Sequence, residues 1–311
     1  MFRLQKALQL IEIVLLAITF TVLAALFFIG KVDAAELKVT MLDVGQGDSF
    51  LLQTPDGEIF LIDTGDVYAR DKLLRQLQTF NVERIDKLIL THPHADHIAN
   101  AAELLKSDMV DTVYDNGQIS SSAYYRNYLF QSRERGIPHY TLREDDYFFL
   151  ADGSYLQVLS ANHYSKNQND NSLVLRLVYG NFAMLFTGDM FSSLEKDLVF
   201  SEPAVVLQST VLKAAHHGSK TSNSIDFVKA VNPTYVFISA AENNKFGHPH
   251  KQALENFLMA GVPPENIFWT AKNGYVTVTT DGTNTTVSPQ FYFNWVYYYL
   301  GYSLSFENID F

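Results

Sequence analysis

The segment Thr91-His92-Pro93-His94-Ala95-Asp96-His97 puts three imidazoles and a carboxylate within six residues, directly after the apolar run Leu88-Ile89-Leu90. Imidazole nitrogen and carboxylate oxygen are the donors that zinc, manganese and iron accept most readily. A tight loop after a strand aims alternate side chains into one pocket. His92 and His94 would then address one point, and Asp96 and His97 a second point beside it, which suggests two metal ions rather than one. The alternative, a polar surface loop, has no need of four ligand-type residues at this spacing.

Further donors stand where other apolar runs end. Asp189 follows Ala183–Phe186 in Thr187-Gly188-Asp189, and His216 and His217 follow Val211–Ala215. Asp63 ends Ile59–Ile62, and His248 lies in Phe246-Gly247-His248-Pro249-His250. Singly, each is a common turn former or a structural histidine. Their shared position, the end of a buried strand, makes them candidates for a single site. Asp189 is placed to bridge two ions. Only one of the neighbours His216 and His217 is expected to point inward, and the residues alone leave open which.

The remaining composition narrows the chemistry. The 311 residues contain no cysteine, so disulfides and thiolate sites are excluded and a metal must be held by His, Asp or Glu. Hydrophobic content of 47% and charged content of 18% fit a globular body with a sizeable core. Net charge is −11; removing residues 1–34 takes away three bases and two acids and leaves −12. Such a body repels nucleic acid at long range, although bound cations would offset part of the charge at a site. Lys213, Lys220 and Lys245 lie near the motifs and could attract phosphate, but solvated lysine is the plainer expectation.

Arg3 and Lys6 precede an apolar run from Ile13 to Ile29, and Val32-Asp33-Ala34 resembles a small-residue cleavage site. Residues 1–34 are therefore expected to be a signal peptide or an uncleaved anchor, with the body outside the cytoplasmic membrane, secreted or held at the cell surface.

Beyond it the pattern alternates strands and helices. Strands are expected at Leu37–Leu42, Ser49–Gln53, Ile59–Ile62, Lys87–Leu90, Leu173–Val178, Phe182–Phe186, Val211–Ala215, Tyr235–Ser239, Tyr275–Thr279 and Thr285–Val287. Helices are expected at Asp71–Phe80, Ala101–Lys106, Ile225–Val231 and Gln252–Met259. Two such halves suggest two packed sheets with helices outside. Tyr114–Tyr140 reads as a helical insertion near the pocket, with Tyr124, Tyr125 and Tyr128 as packing residues or a cleft lining. The hydrolase body is expected over 35–288. Residues 289–311 form an aromatic tail that packs on the body, lies at a membrane interface or contacts cell-wall sugar.

These motifs resemble the metallo-β-lactamase superfamily, whose central signature appears as His92-x-His94-x-Asp96-His97. The chain is more closely similar to the branch formed by the extracellular hydrolase domain of the competence protein ComEC. That branch's hallmarks appear as Leu42-Asp43-Val44-Gly45-Gln46-Gly47-Asp48-Ser49, Asn171-Ser172-Leu173-Val174-Leu175, Thr187-Gly188-Asp189, Leu212-Lys213-Ala214-Ala215-His216-His217-Gly218-Ser219 and Gly247-His248-Pro249. The exported teichoic acid phosphorylcholine esterase is similar as well. The likeness covers residues 37–287.

The resemblance implies an α/β, four-layer αββα sandwich with the metal site at one edge of the sheets. It implies His92, His94 and Asp189 on one ion, and Asp96, His97, Asp189 and His217 on the other, the ions being zinc or manganese. Asp63 and Asp48 would support the ligands, and His216 and His248, together with Asp96, would act on the substrate. Most members supply another histidine between the loop motif and the bridging aspartate; the nearest candidates here are His163 and Asp170. Asn100 replaces a common glycine, with little effect expected. The implied function is an exported dinuclear hydrolase, a phosphodiesterase in which a water between the ions attacks a nucleic acid or a cell-envelope polymer or lipid. Membrane or cell-wall association fits the leader and tail, and no obligate protein partner is evident. The competing reading is a binding protein that keeps the fold and holds a surface polymer without cleaving it.

Overall fold

Several strands of this chain, Ile59–Ile62, Phe182–Phe186, Tyr235–Ile238 and Ile267–Trp269 among them, are continuous apolar runs, as expected for strands covered on both faces. A computed structural model of the protein describes residue 19 and residues 36–150, 153–161 and 165–301. Residues 36–311 form one compact unit. The expected export segment, residues 1–34, lies outside the described residues apart from Thr19. Among the described residues, no helix is long and apolar enough to cross a membrane.

The strands in chain order are β1 (Leu37–Met41), β2 (Phe50–Gln53), β3 (Ile59–Ile62), β4 (Lys87–Leu90), β5 (Val113–Asp115), β6 (His139–Thr141), β7 (Tyr147–Phe149) and β8 (Tyr155–Ser160). They continue with β9 (Val174–Tyr179), β10 (Phe182–Phe186), β11 (Val211–Lys213), β12 (Tyr235–Ile238), β13 (Ile267–Trp269), β14 (Val276–Thr280) and β15 (Thr285–Pro289). One sheet has the order β15-β14-β1-β2-β3-β4-β5-β6, the other β13-β12-β11-β10-β9-β8-β7. The pairings β3–β4 and β4–β5 are parallel, as are β10–β11 and β11–β12.

Period-two alternation sorts the apolar side chains into three cores. Val39, Phe50, Phe60 and Ile62 of the first sheet meet Leu175, Met184, Phe186 and Phe237 of the second in the central core. Their neighbours point outward. Leu51, Leu61 and Leu88 pack with Leu73, Leu77, Leu104 and Leu105 of the helices Arg70–Thr79 and Ala101–Lys106. On the other side, Leu185, Leu212 and Val236 pack with Leu194, Phe227 and Phe257 from the helices Ser192–Ser201, Ile225–Val231 and Lys251–Met259. The result is two sheets with helices packed around them.

Tyr114–Tyr140 differs from its expectation. It is not an insertion at the pocket: the helix Ala123–Glu134 is a crossover between the parallel strands β5 and β6. Tyr128 is buried in the outer core and its hydroxyl donates to Asp115 Oδ2 at 2.7 Å, while Tyr124 and Tyr125 pack at its rim. The short β5, β6 and β7 had no legible signal, because three-residue strands are too brief for periodicity to show, and the six-residue β8 was not foreseen either. The tail packs in part. Trp295 and Val296 are buried, and the Trp295 ring lies 5.0 Å from that of Trp269, whereas Tyr292 and Tyr298 are exposed.

Phe50 and Phe186 meet edge to face across the central core with ring centroids 5.4 Å apart. Phe50→Ala should therefore lower stability by about 3–5 kcal/mol, read from urea unfolding of the purified protein. A loss under about 1 kcal/mol would mean the sheets do not depend on this contact.

Candidate metal centre

The parallel strands of both sheets finish at the same edge, and ligands in open α/β sheets collect at such carboxyl ends. Asp63 follows β3, the histidine loop follows β4, Asp189 follows β10, the paired histidines follow β11 and Ser239 follows β12. Asp189 Oδ2 is the point of convergence. It lies 3.3 Å from His97 Nε2, 3.3 Å from His217 Nε2, 3.8 Å from His216 Nε2 and 4.0 Å from His92 Nε2. Asp96 Oδ2 is 3.3 Å from His217 Nε2, and His94 Nδ1 is 3.0 Å from His92 Nε2. Asp96, His97, Asp189 and His217 each offer an atom within 4.8 Å of the others, a set able to hold a cation. His92 and His94 adjoin it as the expected second pair.

The chemistry of these donors fits metal. His97 Nδ1 donates to Asp63 Oδ2 at 2.7 Å, and His217 Nδ1 donates to the Ser239 carbonyl at 2.8 Å. Each bond fixes the tautomer that leaves the Nε2 lone pair facing inward. Both Nε2 atoms are buried without a hydrogen-bond partner, as is Asp189 Oδ1. Buried polar atoms are almost always paired, so a cluster of orphaned acceptors marks where a cation belongs. Burial alone would suppress the charged imidazolium of His97 and His217, but Asp189, with Asp63 for the first and Asp48 for the second, holds both well above the ordinary value, so a cation that takes these Nε2 atoms must displace a proton from each. Burial likewise opposes ionisation of Asp189, and His217 and His97 keep it well below the usual carboxylate range.

The supports are more numerous than the sequence suggested. Asp63 takes the left-handed conformation at φ 60° and accepts from the Thr91 backbone N–H at 2.8 Å and the Thr91 hydroxyl at 2.7 Å, which clamps the start of the histidine loop. Gly47 carries φ +121°, and a Cβ there would lie 2.1 Å from the Asp96 carbonyl oxygen. Asp48 N–H donates to that same oxygen at 3.1 Å. The glycine-rich turn thus presses against the loop that carries the donors. Asn100 matters more than expected: it is buried and its amide donates to the Thr64 and Asp66 carbonyls, each at 2.8 Å.

His216 and His217 occupy consecutive left-handed conformations, at φ 49° and 56°. Non-glycine residues adopt this region only when the surroundings impose it. Buried Asn223 supplies that constraint: its Oδ1 accepts from Ala215 N at 2.8 Å, and its Nδ2 donates to the Ala215 and Ser219 carbonyls. Asn223 N and Ser224 N in turn donate to the fully buried Glu195. The twist separates the two rings. His217 points among the donors, and His216, with a fifth of its side chain exposed, faces the cavity.

Lys213 is not the solvated or phosphate-attracting lysine expected from the sequence. It is 1% exposed, and its Nζ lies 2.5 Å from Asp48 Oδ2, 2.6 Å from the Gly188 carbonyl and 3.6 Å from Asp189 Oδ1. Burial opposes its charge, but Asp48 and Asp189 raise its pKa above the ordinary value. Asp48, Asp63 and His97 also lie close enough to one another for a cation, but Lys213 already supplies positive charge there. Asp170 is likewise not at the centre. Its carboxylate accepts from Phe191 N and Ser193 Oγ, both at 3.1 Å. His163 lies outside the described residues.

A cavity of about 310 Å³ opens onto the cluster, walled by His94, Asp96, Asp189 and His217 together with Gln46, Asn169, His216, Phe246 and His248. Asn244 seats His248, accepting from its backbone N–H at 3.0 Å. Burial and then the neighbouring His217 lower the pKa of His248 to about 3; burial lowers that of His216 to about 4, so both are neutral at physiological pH.

Residues 42–241 match the family described as the metallo-beta-lactamase superfamily. The chain belongs to this superfamily. Among its relatives, ComE operon protein 3 of Bacillus subtilis is 30% identical over 248 residues, covering 74% of this chain and 32% of that protein. Competence protein ComA of Neisseria gonorrhoeae is 33% identical over 230 residues, covering 72% of this chain and 30% of that one. The chain therefore spans about a third of the length of these relatives, and their names bear out the likeness to the ComEC branch. Tm1679, a solved metal-dependent hydrolase of the superfamily, matches 75% of this chain and 95% of its own at 12% identity and a TM-score of 0.50, a likeness of fold.

Two outcomes test the supports of this superfamily site. Asp63→Asn, which weakens the anchor of His97, should lower zinc affinity roughly 10–100-fold in a chelator competition titration. Lys213→Met leaves Asp48 and Asp189 buried without their cation. It should destabilise the metal-free protein by about 3–5 kcal/mol, measured by urea unfolding in chelator; an unchanged midpoint would show that the lysine is dispensable.

Proposed function

We propose that this chain is an exported phosphodiesterase that works with two divalent ions, zinc or manganese. His92, His94 and Asp189 would hold one ion, and Asp96, His97, Asp189 and His217 the other. The observation that carries the reading is the single carboxylate oxygen of Asp189, set among four imidazole nitrogens at 3.3–4.0 Å and facing an open cavity. Two ions bound there supply a water of lowered pKa and positive charge for the oxygens of a reacting phosphate.

The rest of the wall supports an anionic substrate. Beyond the donor set, the residues lining the cavity are neutral and include no carboxylate. His216 and His248 each present an imidazole, and a neutral ring still has one N–H to donate to a phosphate oxygen. Gln46 Nε2 is buried without a partner and offers a further donor. Fixed donors aimed where negative charge grows are the main means by which a protein stabilises such a transition state. Similarity to ComE operon protein 3 and to a protein named for competence favours a nucleic acid backbone. The apolar leader and exposed tyrosines favour a cell-envelope polymer or lipid, with action outside the cytoplasmic membrane. Both are phosphodiesters.

Hydrolysis of bis-p-nitrophenyl phosphate by the purified protein with added zinc or manganese tests the reading. Asp189→Ala should lower kcat/KM by at least about 10³-fold, because a ligand to both ions is lost along with the carboxylate charge that balances them. Wild-type rates in that variant would sink the proposal.

A further inference from the structure

The two halves of the proposed centre are unequally furnished. Among the described residues, four side chains surround one position, Asp96, His97, Asp189 and His217, whereas three, His92, His94 and Asp189, address the other. A side chain that the functional reading does not use stands in the same cavity. Asn169 is 5% exposed, lines the space shared by His94 and Asp189, and its buried Oδ1 has no hydrogen-bond partner among the described residues. A carboxamide oxygen is a strong acceptor, and one left buried and unpaired is unfavourable. It shares that condition with His97 Nε2, His217 Nε2 and Asp189 Oδ1, the acceptors already assigned to metal.

The backbone holds Asn169 on the less furnished side. It lies in the single helical turn Gln168–Asn171, where its N–H donates to Asn167 Oδ1 at 3.2 Å and its carbonyl accepts from Ser172 N at 3.0 Å. That turn is tied to the centre at three points. The Gln168 side chain hydrogen-bonds His94. Leu173 N–H donates to the Thr91 carbonyl at 2.9 Å, and Asp189 N–H donates to Ser172 Oγ at 3.1 Å. The segment therefore runs from the histidine loop to the bridging carboxylate, with Asn169 on the wall of the cavity they share.

We propose that the carboxamide oxygen of Asn169 is a ligand to the ion held by His92, His94 and Asp189, which brings the donors described at that position to four, as at the other. Amide carbonyl oxygen is an accepted donor for divalent ions, harder than imidazole and uncharged. The inference rests on the dinuclear reading above, and one experiment separates the two. The full chain, purified in detergent and stripped with chelator, is titrated calorimetrically with zinc chloride and separately with manganese chloride. The parent protein should take up two equivalents; fewer than two defeats the dinuclear reading before any variant is compared. Asn169→Leu should retain one equivalent at the parent Kd and bind the other at least about tenfold more weakly, since a direct ligand should matter no less than an orienting partner. Asn169→Asp, which keeps an oxygen at the same place and adds charge, should take up two equivalents with the affected one bound more tightly than in the parent. Two parent-like equivalents in Asn169→Leu would overturn the proposal. So would an Asn169→Asp variant whose affinities match the parent's or fall as in the leucine variant, and that arm decides the matter should the leucine protein fail to fold.

Discussion

One carboxylate sets the terms for this molecule. Asp189 is buried at the seam of the two sheets, with one oxygen among imidazoles and the other facing the Lys213 ammonium. An ionised group in such a place is tolerated only if the surroundings return the solvation that water would have given. The neighbours are arranged to do so. Lys213 answers the carboxylates from behind, leaving the Nε2 faces of His97 and His217 free in front. The centre therefore has its charge partly balanced without a cation and still keeps lone pairs for one.

Holding that arrangement requires local conformations that the chain would not choose by itself. Asp63, His216 and His217 all sit at positive φ, and each is pinned by buried hydrogen bonds rather than by propensity. Thr91 pins Asp63 through two bonds; Asn223, itself fixed by Glu195, pins the turn through Ala215 and Ser219. Strain gathered at a site and compensated by its surroundings is the usual signature of preorganisation. Ser239 joins both layers of support, accepting from His217 through its carbonyl and donating through its hydroxyl to the Gly47 carbonyl. Gly47 in turn lies against Asp96. A disturbance on β12 would thus be felt at the histidine loop of the opposite sheet.

The sheets make this possible by being covered on both faces. The central core of aromatic and aliphatic side chains locks the relative position of β4 and β10, which fixes the spacing between the histidine loop and Asp189. The outer helices seal the other faces, so the strand ends at one edge remain the place where polar groups can gather. Aromatic residues of the tail add to the second outer core through Trp295.

Much of this was legible in the residues. The strands Ile59–Ile62, Lys87–Leu90 and Phe182–Phe186 and the helices Ala101–Lys106 and Ile225–Val231 have the bounds that their apolar patterns indicate. The cluster of His92, His94, Asp96 and His97 was visible because its donors are adjacent in sequence. What remained hidden depends on distance along the chain. Lys213, surrounded by apolar residues and two histidines, gives no sign that its partners are Asp48 and Asp189. Glu195 and Asn223 look like ordinary helix and loop residues until the fold brings them under the paired histidines. Sequence by itself determined which side chains are of metal-donor type and that they end buried strands, since donor type and hydrophobic period are local properties. Tertiary structure alone decided which of His216 and His217 turns inward and which charges neutralise one another, because those outcomes rest on hydrogen bonds and burial between segments far apart in the chain.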